Sequence, residues 1–141
     1  SVDPLMEIGT AFMPAWTAWD YAPEVRYYYA ASYADLLYST LQQALRGTRI
    51  TRDGGMLTGR DFFTPEMKRS VSLDPRYSSF CGVDMESAAI AQCCCALSTP
   101  LVTIKAVSDD LDRSGPKALA RFIRRWSELF AEACYLYLGA I

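Results

Sequence analysis

Three short apolar runs, GGMLTG at 54–59, FCGVD at 80–84 and PLVTIKAV at 100–107, alternate with segments of helical character. Strands that alternate with helices imply βαβ units and a parallel sheet covered on both faces. Pro23 suits a first helical turn, with Glu24 favourable beside it. Helical spacing then runs through Val25, Tyr28, Tyr29, Leu36, Leu37, Leu41 and Leu45 to a stop at Gly47. Thr64 and Pro65 open a second helix as cap and first-turn residue. Residues 86–97 read as a helix apolar nearly all round, hence buried on most sides. After SDDLDRSGP, a last helix carries a stripe of Leu119, Phe122, Ile123, Trp126, Leu129, Phe130 and Ala133. Residues 1–22 show no sustained period and read as a short extended segment followed by a loop.

With 141 residues, the chain has enough material for one core. A net charge of −2 gives no basic excess, which argues against nucleic acid as a partner. The arginine groups 46, 49, 52 and 121, 124, 125 read as solvated surface. No apolar run reaches the roughly 18–20 residues of a membrane span. Three of the five cysteines are consecutive (Cys93, Cys94, Cys95) and there is no histidine, so neither metal-ligand spacing nor a disulfide framework is present. Small buried thiols in a reducing compartment, and hence a cytoplasmic location, are expected. The chain opens at Ser1 without an initiator Met or a leader-like segment, as a processed piece or the C-terminal part of a longer chain would. Three strands make a thin sheet for so much helix, which points the same way.

Ligands of open α/β sheets bind beyond the carboxyl ends of the strands. All three expected ends are polar: Thr58-Gly59 followed by Asp61, Phe62 and Phe63; Asp84, Met85 and Glu86; Ser108, Asp109 and Asp110. Each has a plain structural use as well. Asp109 suits a turn or a helix cap, Glu86 a first-turn acid, and Met85, Phe62 and Phe63 a core. Their convergence on one sheet edge is what favours a site.

GVDMESAAIAQ at 82–92 followed by PLVTIKAVSDDLD at 100–112 resembles the purine nucleoside phosphorylase and nucleosidase superfamily. The resemblance lies nearest its 5′-methylthioadenosine/S-adenosylhomocysteine nucleosidase branch. LTGRDFF at 57–63 is similar to that branch's Ser/Thr-Gly strand end, and WTAWDY at 16–21 to a loop that reaches a neighbouring subunit's site. The resemblance implies the C-terminal part of a three-layer α/β/α fold with a mixed, mostly parallel central sheet. It also implies cleavage of the N-glycosidic bond of a purine nucleoside such as methylthioadenosine or adenosylhomocysteine.

Under that resemblance Asp109 is the general acid at purine N7 and Ser108 its orienting neighbour. Glu86 accepts hydrogen bonds from the ribose hydroxyls, and Met85 lies against the sugar. Phe62 stacks on the base, and backbone near Phe63 reads its edge. Asp84 supports the site and is expected to pair with Lys105. Trp19 and Tyr21 serve a partner's pocket and suit an apolar 5′ group. A homodimer, or a heteromer with a related chain or an N-terminal fragment, is therefore expected. No metal or organic cofactor is implied; inorganic phosphate would be co-substrate if the protein is a phosphorylase.

The sequence departs from the family pattern in three ways. The family's opening strands, its water-activating acid and its phosphate segment have no counterpart, so residues 1–141 are expected to be the C-terminal portion of one domain. Lys105 stands where the branch tends to have Arg, which removes a bidentate fork. Arg60 and Asp61 alter the turn after Gly59. The missing first half and Lys105 favour the alternative, an inactive paralogue or structural or regulatory subunit that keeps the fold; the retained Glu86 and Asp109 oppose it.

Overall fold

A computed structural model describes residues 11–20, 22–52, 54–108 and 116–141. In chain order the elements are β1 (Ala11–Met13), β2 (Trp16–Trp19), β3 (Ala22–Tyr28), α1 (Ala31–Ala44), β4 (Ile50–Arg52) and β5 (Gly55–Thr58). Then come α2 (Pro65–Leu73), a 3₁₀ turn (Pro75–Tyr77), β6 (Phe80–Asp84), α3 (Ser87–Ala96), β7 (Lys105–Ala106) and α4 (Pro116–Ala140).

The strands form two sheets, ordered β4-β1-β7 and β3-β2-β5-β6. Pairs β1/β4, β2/β5 and β5/β6 are parallel, whereas β1/β7 and β2/β3 are antiparallel, so pairing is mixed with parallel in the majority. The sheets are joined by two chain segments that pair first in one and then in the other, β1 into β2 and β4 into β5. The two breaks lie side by side, because the Ala15 amide donates to the Gly54 carbonyl at 3.1 Å. Pro14 has no amide to give a ladder there. Gly54 has φ +76°, the left-handed region that glycine enters freely. Its neighbour Gly55 lies under the Trp16 ring, whose atoms come within 2.2–2.4 Å of where a Cβ would stand.

The helices and sheets enclose two cores. Ala11, Met13, Leu37, Leu41, Leu45, Trp126 and Ala133 bury α1 and α4 against the first sheet, with Phe122, Leu129 and Phe130 packed alongside. Trp16, Ala18, Leu57 and Phe80 form the second, joined by Val71 of α2 and by Tyr77; Trp16 meets Phe80 edge-on at 4.7 Å. Side chains alternate along a strand, so Thr17 and Thr58 face away from that core. There the Ala88 amide of α3 donates to the Thr58 hydroxyl at 2.9 Å. The second sheet thus lies between α2 and α3, as three layers.

β5, β6, the Thr64-capped α2 and α3 stand where the sequence predicts them; the Met67 amide donates to the Thr64 hydroxyl at 3.2 Å. Several expectations are corrected. Residues 22–28 are a strand, and the helix begins only at Ala31. Val25 and the tyrosines after it suit a pleated surface, antiparallel pairing with β2 captures them, and Pro23 is tolerated because β3 is an edge strand. Residues 11–13 and 16–19, expected as an extended segment and loop, are two ladder strands. Of residues 100–107 only Lys105 and Ala106 join a ladder. The Leu101 carbonyl instead accepts from the Ala30 amide at 2.8 Å, and Val102 and Ile104 pack on the first core without strand pairing.

A further correction concerns α3. Only Ser87, Ala88 and Ala91 are buried, while Ile90 is 48% and Leu97 76% exposed. A helix apolar all round buries just the face that has a partner, and the described residues supply one on the sheet side alone. The cysteines follow the helix: Cys93 and Cys95 are exposed, as is Cys134, and Cys81 and Cys94 are half-buried, so buried thiols are not what the fold makes of them. Of the stripe expected in α4, Phe122, Trp126, Leu129, Phe130 and Ala133 pack inward and Ile123 is 54% exposed, while the Leu119 side chain lies outside the described residues.

Candidate active site

The parallel register sets Trp19 beside Thr58 and Thr58 beside Asp84, so three strands end in one row. Pairing continues one residue further, with the Asp20 amide donating to the Thr58 carbonyl and the Gly59 amide to the Asp84 carbonyl, both at 2.9 Å.

Asp84 is the hub of this edge. Its Oδ1 accepts from the Thr58 hydroxyl at 2.8 Å and the Ser87 amide at 3.2 Å. Its Oδ2 accepts from the Ser87 hydroxyl and pairs with Lys105 Nζ at 2.7 Å. Thr58 is fully buried, and Thr17 Oγ1, also buried, lies 3.3 Å from its hydroxyl. The Asp84 side chain is 11% exposed. Burial alone pushes its carboxyl up. The hydrogen bond and charge of Lys105, with the Ser87 and Thr58 hydrogen bonds, outweigh that and hold it below its ordinary value.

One step along the chain the environment reverses. Met85 is 40% exposed, and Glu86 is exposed at the N-cap of α3, its side chain bonding no helix amide. The Glu86 carboxylate accepts a long 3.4 Å hydrogen bond from the Met85 amide. Phe62, in the coil after β5, is 84% exposed, which removes a core role; Phe63 is half-buried. Ser108 is half-buried two residues beyond β7, and Trp19 half-buried at the end of β2. Asp109 and Tyr21 lie outside the described residues. Asp84, Met85 and Glu86 therefore share the strand-end row with Trp19, while Lys105 joins them through its side chain.

The sequence marks Thr58 only as a polar strand end and gives no site role to Ser87, Thr17 or Asp20. Thr58, Ser87 and Thr17 complete the Asp84 cluster; the signal for Ser87 is an aspartate three residues before a helix's first amide, a capping spacing. Asp20 is the fourth. Its carbonyl accepts from the Tyr77 hydroxyl at 3.1 Å, its carboxylate stands beside Gly59, and its Oδ1 is buried without a hydrogen-bond partner among the described residues. Cavities of about 250 and 320 Å³ lie elsewhere, at the α1–β4 turn and between Tyr33, Leu101 and Tyr137. No group of three or more metal-ligating side chains occurs among the described residues.

An exposed carboxylate next in the chain to a half-exposed thioether can take a ligand with hydroxyl donors and an apolar face. The sequence pattern of the phosphorylase superfamily matches residues 7–138. The chain belongs to the phosphorylase superfamily. Among proteins similar to it is the 5′-methylthioadenosine/S-adenosylhomocysteine nucleosidase of Bacillus subtilis. The two are 33% identical over 116 residues, covering 77% of this chain and 48% of the relative. A solved putative methylthioadenosine nucleosidase from Weissella paramesenteroides superposes with a TM-score of 0.82 at 17% identity, over 100% of this chain and 64% of that one. The Neisseria meningitidis 5′-methylthioadenosine/S-adenosylhomocysteine nucleosidase, solved with methylthio-immucillin-A, superposes at 0.78 and 20% identity, over 98% and 64%. This superfamily member spans about half the length of the curated relatives it matches. The solved structures establish its fold as theirs: a mixed α/β sheet flanked by helices.

Proposed function

We propose that the protein containing this chain cleaves the N-glycosidic bond of a purine nucleoside with an apolar 5′ substituent, of the methylthioadenosine or adenosylhomocysteine kind. The observation that carries the reading is the pair Met85–Glu86 held outward at a strand-end row by the buried Asp84 cluster, in a chain of this superfamily. Glu86, an acceptor-only group, takes the ribose hydroxyl protons, and Met85 covers the sugar face. Phe62 stacks on the purine while backbone near Phe63 reads its edge. As the C1′–N9 bond breaks, Asp109 gives its proton to N7 so that the base leaves neutral, and Ser108 orients Asp109. In the hydrolytic form a water oxygen bonds to C1′ and loses a proton; with phosphate as the acceptor, the products are the base and a sugar 1-phosphate.

The rest of the domain, including the group that activates the water, comes from residues beyond these 141. The protein works as a dimer, with Trp19 and Tyr21 at the partner's pocket, in the cytoplasm and without an organic cofactor. The test is adenine release from methylthioadenosine by the intact protein, with and without inorganic phosphate. Turnover that Asp109→Asn lowers by about a hundredfold or more is expected. Full activity of that variant refutes the acid assignment. No turnover of any purine nucleoside refutes the enzyme reading in favour of an inactive or structural subunit.

A further inference from the structure

In the ladder order, β6 lies beyond β5 on one side of the β1–β2 segment, and β7 lies beside β1 on the other. Among the described residues no ladder joins β6 to β7. Their side chains nevertheless meet: Lys105 Nζ on β7 reaches Asp84 Oδ2 on β6 at 2.7 Å, across the face that carries Thr17 and Thr58. The two sheets are thus bridged by an ion pair between β6 and β7, strands that no ladder connects among the described residues.

The segments downstream of the two charges give the pair its meaning. Met85 and Glu86 come directly after Asp84, and Ser108 is three residues after Lys105. We infer that the Asp84–Lys105 pair is a positioning device that fixes the spacing between the sugar-holding Met85–Glu86 step and the Ser108 segment, and so sets the fit for a whole nucleoside rather than for its free base. The inference rests on the functional reading above. Asp84 is suited to that role, because Thr58, Ser87 and Lys105 as donors occupy its carboxylate fully and leave it one orientation. Lys105 is the one donor of the four that arrives from the other sheet. On this inference both act through the segments downstream of them.

The experiment compares Lys105→Met, Asp84→Asn, the double variant and Lys105→Arg in the intact protein. It reads kcat and KM for methylthioadenosine, adenine affinity by titration and the urea midpoint. The double variant leaves no lone buried charge, so its midpoint is expected to recover relative to Lys105→Met. Its kcat/KM for the nucleoside is expected to stay roughly 10- to 100-fold low, as a small misplacement costs, while adenine binds within about threefold of wild type. Lys105→Arg, which keeps the charge and the reach, is expected to recover most of the lost kcat/KM.

Wild-type kcat/KM in the double variant overturns the inference, as does adenine affinity that falls in step with the nucleoside. If the other variants do not fold, Lys105→Arg decides alone: wild-type nucleoside-to-adenine discrimination supports the pair as the determinant, and lost discrimination overturns it. Wild-type turnover and adenine binding test the functional reading separately. If the wild type binds both ligands but cleaves neither, the ratio of the two affinities still tests the pair.

Discussion

Thr58→Val removes one oxygen and keeps the shape of the side chain, so it isolates the polar cluster from core packing. The Thr58 side chain is fully buried, donates to Asp84 Oδ1 at 2.8 Å and accepts from the Ala88 amide at 2.9 Å. Losing a hydrogen bond to a charged acceptor costs about 1.5–3 kcal/mol, and stranding a buried amide a further 1–3 kcal/mol or so. The terms are not additive, since Ser87 and Lys105 still hold the carboxylate, and about 3 kcal/mol is expected. Thr58→Ser keeps both hydrogen bonds and removes one methyl, about 0.8 kcal/mol of burial. The difference between the variants, about 2 kcal/mol, is large against typical stabilities of 5–15 kcal/mol. Urea unfolding of the intact protein measures it as a shift in midpoint at constant m. A Thr58→Val midpoint within about 0.5 kcal/mol of Thr58→Ser would refute the reasoning, because that lies within the scatter of inconsequential substitutions.

The Asp84 carboxyl titrates lower in the folded than in the unfolded chain, so its stabilisation is fully present above the unfolded value of about 3.9 and is lost as pH falls through the folded one. Asp84→Asn should therefore flatten the acid limb of stability against pH; Glu66 and Asp74, also lowered, shift the same limb in both proteins and cancel in the comparison. Gly55→Ala drives a methyl into the Trp16 ring and should cost about 1–3 kcal/mol, seen as an earlier urea midpoint with altered tryptophan fluorescence. Phe62→Ala should leave the midpoint within about 0.5 kcal/mol, because the ring is exposed. On the functional reading it should weaken adenine binding by the roughly 1–3 kcal/mol of a base–aromatic stack, measured by titration.

Long, well-signalled elements were legible in the sequence, and short or shared ones were not. Thr64-Pro65 announced α2 because capping is local chemistry, and Trp126 and its neighbours announced the inward face of α4 because twenty-five residues display a period. β1 and β2 are three and four residues long, too short to show alternation, and their ladders depend on strands forty residues away. Residues 22–28 satisfied a helical spacing and a strand composition equally; pairing with β2 decided, and pairing is invisible locally. At the site, the sheet-edge rule brought out Asp84, Met85 and Glu86. Thr58 and Ser87 stayed hidden as site residues because a hydroxyl carries no signal until its partner's position is known, and Asp20 because its surroundings are set by Gly59 and Tyr77 on other segments.

Asp84 and Glu86 show how one backbone transition gives two like side chains opposite roles. Asp84 is the last residue of β6, where alternation turns it onto the face shared with Thr17 and Thr58. A lone carboxylate there would cost several kcal/mol, so the site can exist only with donors from β5, α3 and β7 converging on it. Two residues later the chain has entered the N-cap of α3, the extended alternation has ended, and Glu86 stands in the open with only the long Met85 amide bond on its carboxylate. Exchanging their chemistry would fail in both places. A neutral residue at 84 leaves Lys105 half-buried without its counter-ion, and on the functional reading a residue with donors at 86 gives the ribose hydroxyls no charged acceptor. The strand-to-helix turn is therefore what separates the carboxylate that holds the edge together from the one free to hold a ligand.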